Sequence, residues 1–275
     1  MGEMNVFSNG TNEIHYVDRG QGFPVLLIHG LAGDHTAWLT QLDAWSERHR
    51  VIAPDTRGAG RSTQRDEPVT LDDLAGDFIA LLDELDIERC HIVGRSMGGC
   101  IGQIIARRKQ QLVHTLTMLA SCAKFDPLGR RSLENMREAL LWRGSWEDHA
   151  RHSVANFVSQ RFFNEERERL KTVENIIASS TRLPACYVHQ NHAVLAHDSL
   201  GWLHEIQCPV MIMSGSHDPL GGPMATRWMV ERLPQAVWEE FEGCSHFFII
   251  EQTERFMQSM GRWFEEHTPA ASVAA

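Results

Sequence analysis

The stretch Gly94-Arg95-Ser96-Met97-Gly98-Gly99 separates a short apolar run, Cys90-His91-Ile92-Val93, from a segment carrying Ile101, Ile104 and Ile105 at helical spacing. The run reads as a buried strand and the segment as a helix. The residues between them must turn the chain sharply. A turn this tight leaves no room for side chains two residues to either side of Ser96, and glycine stands at both places. It strains the serine backbone, exposes the hydroxyl and aims the positive end and free N–H groups of the next helix at it. Such a feature requires a strand layer with helices packed on it.

The rest of the chain has the matching rhythm. Ile14-His15-Tyr16-Val17 alternates and ends in the glycine-rich turn 18–22. Residues 24–28 and 51–53 are continuous apolar runs, as expected of strands covered on both faces. A helix is expected over 37–48. Another follows Thr70, which with Asp73 forms a capping pair ahead of Leu71, Leu74, Phe78, Leu81, Leu82 and Leu85. A further strand is expected over 115–119. From about residue 125 to 203 the strands stop and several helices are expected, with Ser145/Asp148 and Asn164 as caps and Pro184 as a start. The alternation resumes with a strand over 209–213, a helix over 223–233, a strand over 237–241 and a helix over 253–267. An alanine-rich tail from Pro269 reads as frayed. The expected architecture is a mostly parallel, twisted α/β sheet with helices on both faces. Residues 1–124 and 204–275 form its core, and 125–203 a helical cap.

Composition narrows the function classes. A formal net charge of −10 argues against nucleic acid or an anionic membrane as partner. No apolar run approaches the length of a membrane span, and Met1 to Gly10 lacks a secretory pattern, so a cytoplasmic location is expected. Six cysteines without a C-x-x-C pair read as reduced core thiols. The spacings His149-x-x-His152 and His189-x-x-His192 lack a clear third ligand, so neither metal nor cofactor is expected.

Four features carry a resemblance. They are His29-Gly30-Leu31, the loop from Asp55 to Ser62, the Ser96 turn, and the late pair Gly215-Ser216-His217-Asp218 and Gly243-Cys244-Ser245-His246. In this order and spacing the chain resembles the α/β-hydrolase family over nearly its whole length. The resemblance implies a nucleophile at Ser96, a base at His246 and an orienting acid at Asp218, in the chain order usual for that fold. Alone, Ser96 would read as a helix cap, and Asp218 as a turn residue before Pro219. The strand before residues 120–122 offers no carboxylate in the alternative place for the acid, which favours Asp218. The resemblance puts the oxyanion hole at the backbone N–H groups of Leu31 and Met97, and makes His29 a loop-shaping residue. The Asp55–Ser62 loop reads as a turn with an internal ion pair.

The resemblance is strongest to 3-oxoadipate enol-lactonases and small carboxylesterases. It implies hydrolysis of a small ester or lactone, with a small molecule as partner and homo-oligomerisation left open. Arg95, Trp142, Trp146, Phe162 and Phe247 are candidate substrate contacts, with Phe157, Phe163 and Tyr187 as further aromatic lining. Arg95 could meet a substrate carboxylate or fold onto the surface as an ion pair, and Arg143 and Arg161 are lesser anion candidates. Carbon–carbon bond hydrolases of similar core usually have Asn before the nucleophile and Trp after the histidine, where this chain has Arg95 and Phe247. Perhydrolases usually carry an aromatic residue in place of Leu31. Dehalogenases and epoxide hydrolases use Asp where Ser96 stands. A small-molecule receptor on a hydrolase core is the non-enzymatic alternative.

Overall fold

The computed structural model describes residues 4–269; the alanine-rich tail beyond Pro269 lies outside them. Its eight strands form one sheet in the order β1-β2-β4-β3-β5-β6-β7-β8. Strands β1 (Asn5–Asn9) and β2 (Asn12–Arg19) pair antiparallel, and β2 pairs antiparallel with β4 (Arg50–Pro54). From β4 onward every pairing is parallel, through β3 (Pro24–Ile28), β5 (Cys90–Arg95), β6 (Val113–Leu119), β7 (Val210–Gly215) and β8 (Val237–Phe241). The antiparallel edge strand β1 has no counterpart in the sequence expectations. Its burial is slight, so it lacks an apolar signature.

The apolar runs are continuous because alternate residues enter two different cores. Leu26, Ile28, Ile52, Ile92 and Leu116 pack with Leu74, Phe78 and Leu82 of α2 (Leu71–Glu84) and Ile101 and Ile105 of α3 (Met97–Arg108). Val25, Leu27, Val51, Ala53 and Val93 face the other way, onto Leu42 and Trp45 of α1 (Leu39–Trp45) and Phe256, Met260 and Phe264 near the C-terminus. Helix α2 starts as expected: Thr70 accepts the Asp73 N–H while the Asp73 carboxylate accepts the Thr70 N–H. Helix α1 is shorter than expected. A 3-10 turn precedes it, and it stops at Trp45, where the turn at Gly20 lies against the carbonyls of Ser46 and His49.

Between β6 and β7 lie α4 (Pro127–Arg143), α5 (Trp146–Phe157), α6 (Gln160–Glu165), α7 (Arg167–Ala178) and α8 (Pro184–Ala196). Ser145 caps α5 and Pro184 begins α8, as the sequence suggests. Asn164 does not cap a helix. It lies inside α6, and Ser159 accepts the Phe162 N–H as that helix's cap. The chain then returns to the sheet and continues through α9 (Pro223–Arg232), the short α10 (Phe248–Glu251) and α11 (Thr253–His267).

Candidate active site

Ser96 joins β5 to α3 with φ 51° and ψ −117°, outside the relaxed backbone regions for a side-chain-bearing residue. Close packing enforces this. A Cβ on Gly94 would stand 2.3 Å from the Gly98 carbonyl oxygen, and one on Gly98 would stand 2.1 Å from that of Ile28. The Ser96 N–H donates to the Leu119 carbonyl at 2.8 Å, and the Ser121 hydroxyl donates to the Ser96 carbonyl at 2.9 Å. Although Ser96 occupies the cap position of α3, its side chain makes no capping bond. Among the described residues its hydroxyl has no hydrogen-bond partner, His246 included.

Asp218 and His246 come from the ends of β7 and β8. The His246 Nδ1–H donates to Asp218 Oδ2 at 2.8 Å, and both side chains are buried. The Leu220 N–H holds the other carboxylate oxygen at 2.8 Å. A carboxylate on Nδ1 fixes the ring tautomer and leaves Nε2 as acceptor. Three close approaches bring these loops to the Ser96 turn. Gly215 lies under the Cys244 and Ser245 carbonyls, Gly221 lies against Ala120 and Ser121, and Gly99 lies against Ser121. The Arg95 guanidinium lies 4.7 Å from the Phe247 ring centre, so the residues adjoining Ser96 and His246 touch.

The loop after β3 also reaches Ser96. A Cβ on Gly30 would be 3.3 Å from the Ser96 Cβ. His29 shapes this loop: its Nδ1–H donates to the Gly30 carbonyl at 2.8 Å and its Nε2 accepts the Thr56 N–H at 3.0 Å. Burial pushes its pKa down to about 4, so it is neutral in the folded protein at neutral pH. The N–H groups of Leu31 and of Met97, the first residue of α3, donate to no acceptor among the described residues.

The expected substrate contacts divide. Arg95 and Phe247 lie at the Ser96 turn and are both 8% exposed. Phe157 of α5 stacks on Phe247 at 4.7 Å and lies 5.8 Å from the His246 ring. Trp142 is corrected: it stands 91% exposed near the end of α4, on a helix face turned to solvent. Trp146 packs edge-on to Tyr187 and His149 and donates its indole N–H to the Arg182 carbonyl, a contact within the insertion. Phe162 is buried with Val154, Leu170 and Val173 and with Phe247, so it belongs to the seam between insertion and core. The Arg143 side chain lies outside the described residues, and Arg161 is exposed.

Two residues absent from the sequence expectations join the insertion to the site. The buried Glu251 carboxylate accepts the Ser245 N–H and the Ser159 N–H, each at 3.0 Å, and the Ser159 hydroxyl. It thereby ties the start of α6 to the residue before His246. Arg182 donates to the Gly33 carbonyl and, at 3.1 Å, to Gln190 Oε1, while Gln190 donates to the Arg57 carbonyl at 2.7 Å. A single arginine or glutamate carries no sequence signal of contacts with segments so distant in the chain.

The Asp55 loop has no internal ion pair. Asp55 bonds His35, whereas Arg57 pairs with Asp77 of α2 at 2.7 Å. Asp34, His35 and Asp55 lie close enough together to hold an ion, but each already serves a local bond, Asp34 capping the 3-10 turn. Three of the four histidines of the two H-x-x-H spacings bond elsewhere: His149 to the Met136 carbonyl, His152 to the Asp148 carbonyl and His189 to Asp66. The six cysteines are free thiols. Among the described residues no helix is long and apolar enough to cross a membrane.

The chain is 28% identical over 244 residues to a putative carbamate hydrolase RutD of Azorhizobium caulinodans, covering 87% of this chain and 90% of the relative. It is 26% identical over 235 residues to 3-oxoadipate enol-lactonase 1 of Acinetobacter baylyi, covering 85% of each. The crystal structure of the enol-lactonase from Burkholderia xenovorans superposes with a TM-score of 0.84 at 23% identity, covering 95% of this chain and 100% of that one. Residues 24–253 match the alpha/beta hydrolase fold, and the chain belongs to that family.

Proposed function

We propose that this protein is a serine hydrolase that cleaves a small carboxylic ester or lactone through an acyl-enzyme on Ser96. The observation that carries the reading is the buried 2.8 Å bond from His246 Nδ1–H to Asp218, presented beside an elbow serine whose hydroxyl is uncommitted. The similarity to an enol-lactonase over most of both chains supports the substrate class. The carbamate hydrolase relative is named for another acyl group, consistent with attack at an acyl carbon.

In this reading His246 Nε2 takes the Ser96 proton as Oγ attacks the acyl carbon. The substrate oxygen gathers negative charge and receives the N–H groups of Leu31 and Met97. His246 then donates the proton to the leaving alkoxide, and a water deprotonated by the same ring releases the acid. Asp218 holds the ring tautomer and stabilises the imidazolium. In this reading the Ser96–His246 hydrogen bond forms as substrate fills the site. The helices of residues 125–203 act as the cap, with Phe157 and Phe247 beside the reacting centre.

The test is turnover of 4-nitrophenyl acetate and of a lactone series, with Ser96→Ala as the paired variant. Wild-type turnover should fall on the order of 10⁵-fold in folded Ser96→Ala. A fluorophosphonate probe should add its mass to Ser96 and not to the variant. Equal turnover by both proteins would overturn the assignment of Ser96. Absence of turnover and of labelling in the wild type would favour a receptor on the same fold.

A further inference from the structure

Arg95 has no assigned part in the hydrolytic steps above, yet its charge is buried without a hydrogen-bonded acceptor among the described residues. It directly precedes Ser96 and is more than nine-tenths buried. Its Nε is buried without a hydrogen-bond partner, and no carboxylate among the described residues pairs with it. Its contact is the face of Phe247, 4.7 Å from the guanidinium carbon. Other arginines drawn inward do find acceptors. Arg50 pairs with Asp18 and Arg57 with Asp77, while Arg182 donates to Gln190 and Gly33.

We infer that Arg95 is an anion anchor and that the natural substrate carries a carboxylate which binds it. The inference rests on the hydrolytic reading of Ser96 and names the substrate class of that same site.

The argument is electrostatic and geometric. Burial pushes the Arg95 pKa down to about 10, which leaves it a cation at neutral pH. A buried charge without a counter-ion is costly, and an apolar side chain of similar length would stack on Phe247 without that cost. The cost becomes useful if the counter-ion arrives with the ligand. The Phe247 face supports the guanidinium from one side and leaves its N–H edge available. That planar fork matches the two oxygens of a carboxylate. A protein of net charge −10 repels small anions at long range, so their recognition needs a local cation of this kind.

The experiment compares matched anionic and neutral substrates. One pair places the carboxylate on the acyl side: 4-nitrophenyl hemiglutarate against 4-nitrophenyl pentanoate. The other places it on the alcohol side: 3-acetoxybenzoate against its methyl ester. Wild type should prefer the anionic member of one pair by on the order of 100-fold in kcat/KM, and that pair identifies the side. In Arg95→Met the preference should fall below about threefold, the loss expected for a charged hydrogen bond. Glutarate should raise the melting temperature of wild type and not that of the variant. Without ligand, Arg95→Met should melt at or above wild type, because a buried unpaired charge has been removed. Arg95→Gln repeats the comparison if the methionine variant does not fold.

A wild type without preference in either pair overturns the inference with no variant needed. So does a preference that survives the substitution, or an Arg95→Met protein that is destabilised and equally responsive to glutarate, which would make Arg95 a structural support for Phe247. The two readings fail separately. Neutral esters turned over through Ser96 with no anion preference would leave the hydrolase and remove the anchor. Arg95-dependent stabilisation by glutarate in a protein that turns over no ester would leave the anchor and remove the hydrolase.

Discussion

Ser96 keeps its left-handed backbone only because the glycines beside it let the sheet close in, and that makes the elbow sensitive to single methyl groups. Gly98→Ala would set a Cβ 2.1 Å from the Ile28 carbonyl oxygen, where neither backbone can yield. We expect loss of soluble folded protein or a fall of about 2–3 kcal/mol in unfolding free energy, checked by circular dichroism melts. Gly201→Ala, where a Cβ meets nothing within 4 Å, is the control and should melt with wild type. A subtler substitution tests the Asp218–His246 bond. Asp218→Asn retains the shape but can present an N–H to Nδ1, which favours the wrong ring tautomer. A loss of about 10⁴-fold in kcat is expected, with the melting temperature little changed. Gly94, Ser96 and Gly98 form a motif local in the chain, whereas the pairing of Asp218 with His246 was implied only by the family resemblance.

At the scale of elements, the helices between β6 and β7 are tied to the sheet core by polar contacts at several places, through Arg182, His189 and Gln190 as well as Ser159. Glu251 receives the contact next to His246, since its carboxylate serves the Ser159 and Ser245 N–H groups together. Glu251→Ala would leave two buried N–H donors, besides the rotatable Ser159 hydroxyl, without an acceptor, at about 1–3 kcal/mol for each N–H. We expect a melting temperature several degrees lower and a kcat/KM at least tenfold lower, because the His246 loop and the start of α6 lose their shared anchor. A kcat/KM unchanged in the folded variant would show that α6 and the His246 loop are positioned independently of it. Trp142 gives the opposite expectation. Being exposed, Trp142→Ala should alter kcat/KM by less than about twofold, in the range of ordinary surface substitutions. Helical periodicity located this region in the chain, and local caps marked α5 and α8. It did not orient the helices, so Trp142 and Phe157 looked equivalent although only Phe157 faces His246.

For the whole molecule, buried histidines set the acid limit of stability. His91 is pushed down to about 3, His29 to about 4 and His149 to about 4, each chiefly by burial. In the unfolded chain such rings titrate at about 6.5. Between these values the unfolded state binds protons that the native state does not, so stability falls as pH drops from about 6.5 toward 4. His35 shifts upward, mainly through its bond to Asp55; it is protonated in both states below about 6.5 and so leaves the slope in this window unchanged. The summed loss by pH 4.5 should be on the order of several kcal/mol, at about 1.4 kcal/mol per pH unit for each fully shifted group. Thermal melts at pH 7, 5.5 and 4.5 check it, and His91→Leu should reduce the slope. A flat melting temperature down to pH 4.5 would mean that these rings accept protons without unfolding.

What the amino-acid sequence determined by itself is whatever rests on neighbours in the chain. The continuous apolar runs, the Thr70–Asp73 cap and the glycine-bracketed Ser96 turn are encoded within a few residues, so the parallel sheet, its interruption and the candidate nucleophile could all be read directly. The tertiary structure alone decided the partners of polar side chains distant in sequence. Nothing near Arg57 indicates Asp77, nothing near Glu251 indicates Ser159, and nothing near Arg95 indicates that its charge is buried against Phe247 without a counter-ion. The physical reason is that secondary structure follows short-range periodicity, whereas the balance between desolvation and pairing of a charge depends on which segments the fold brings together.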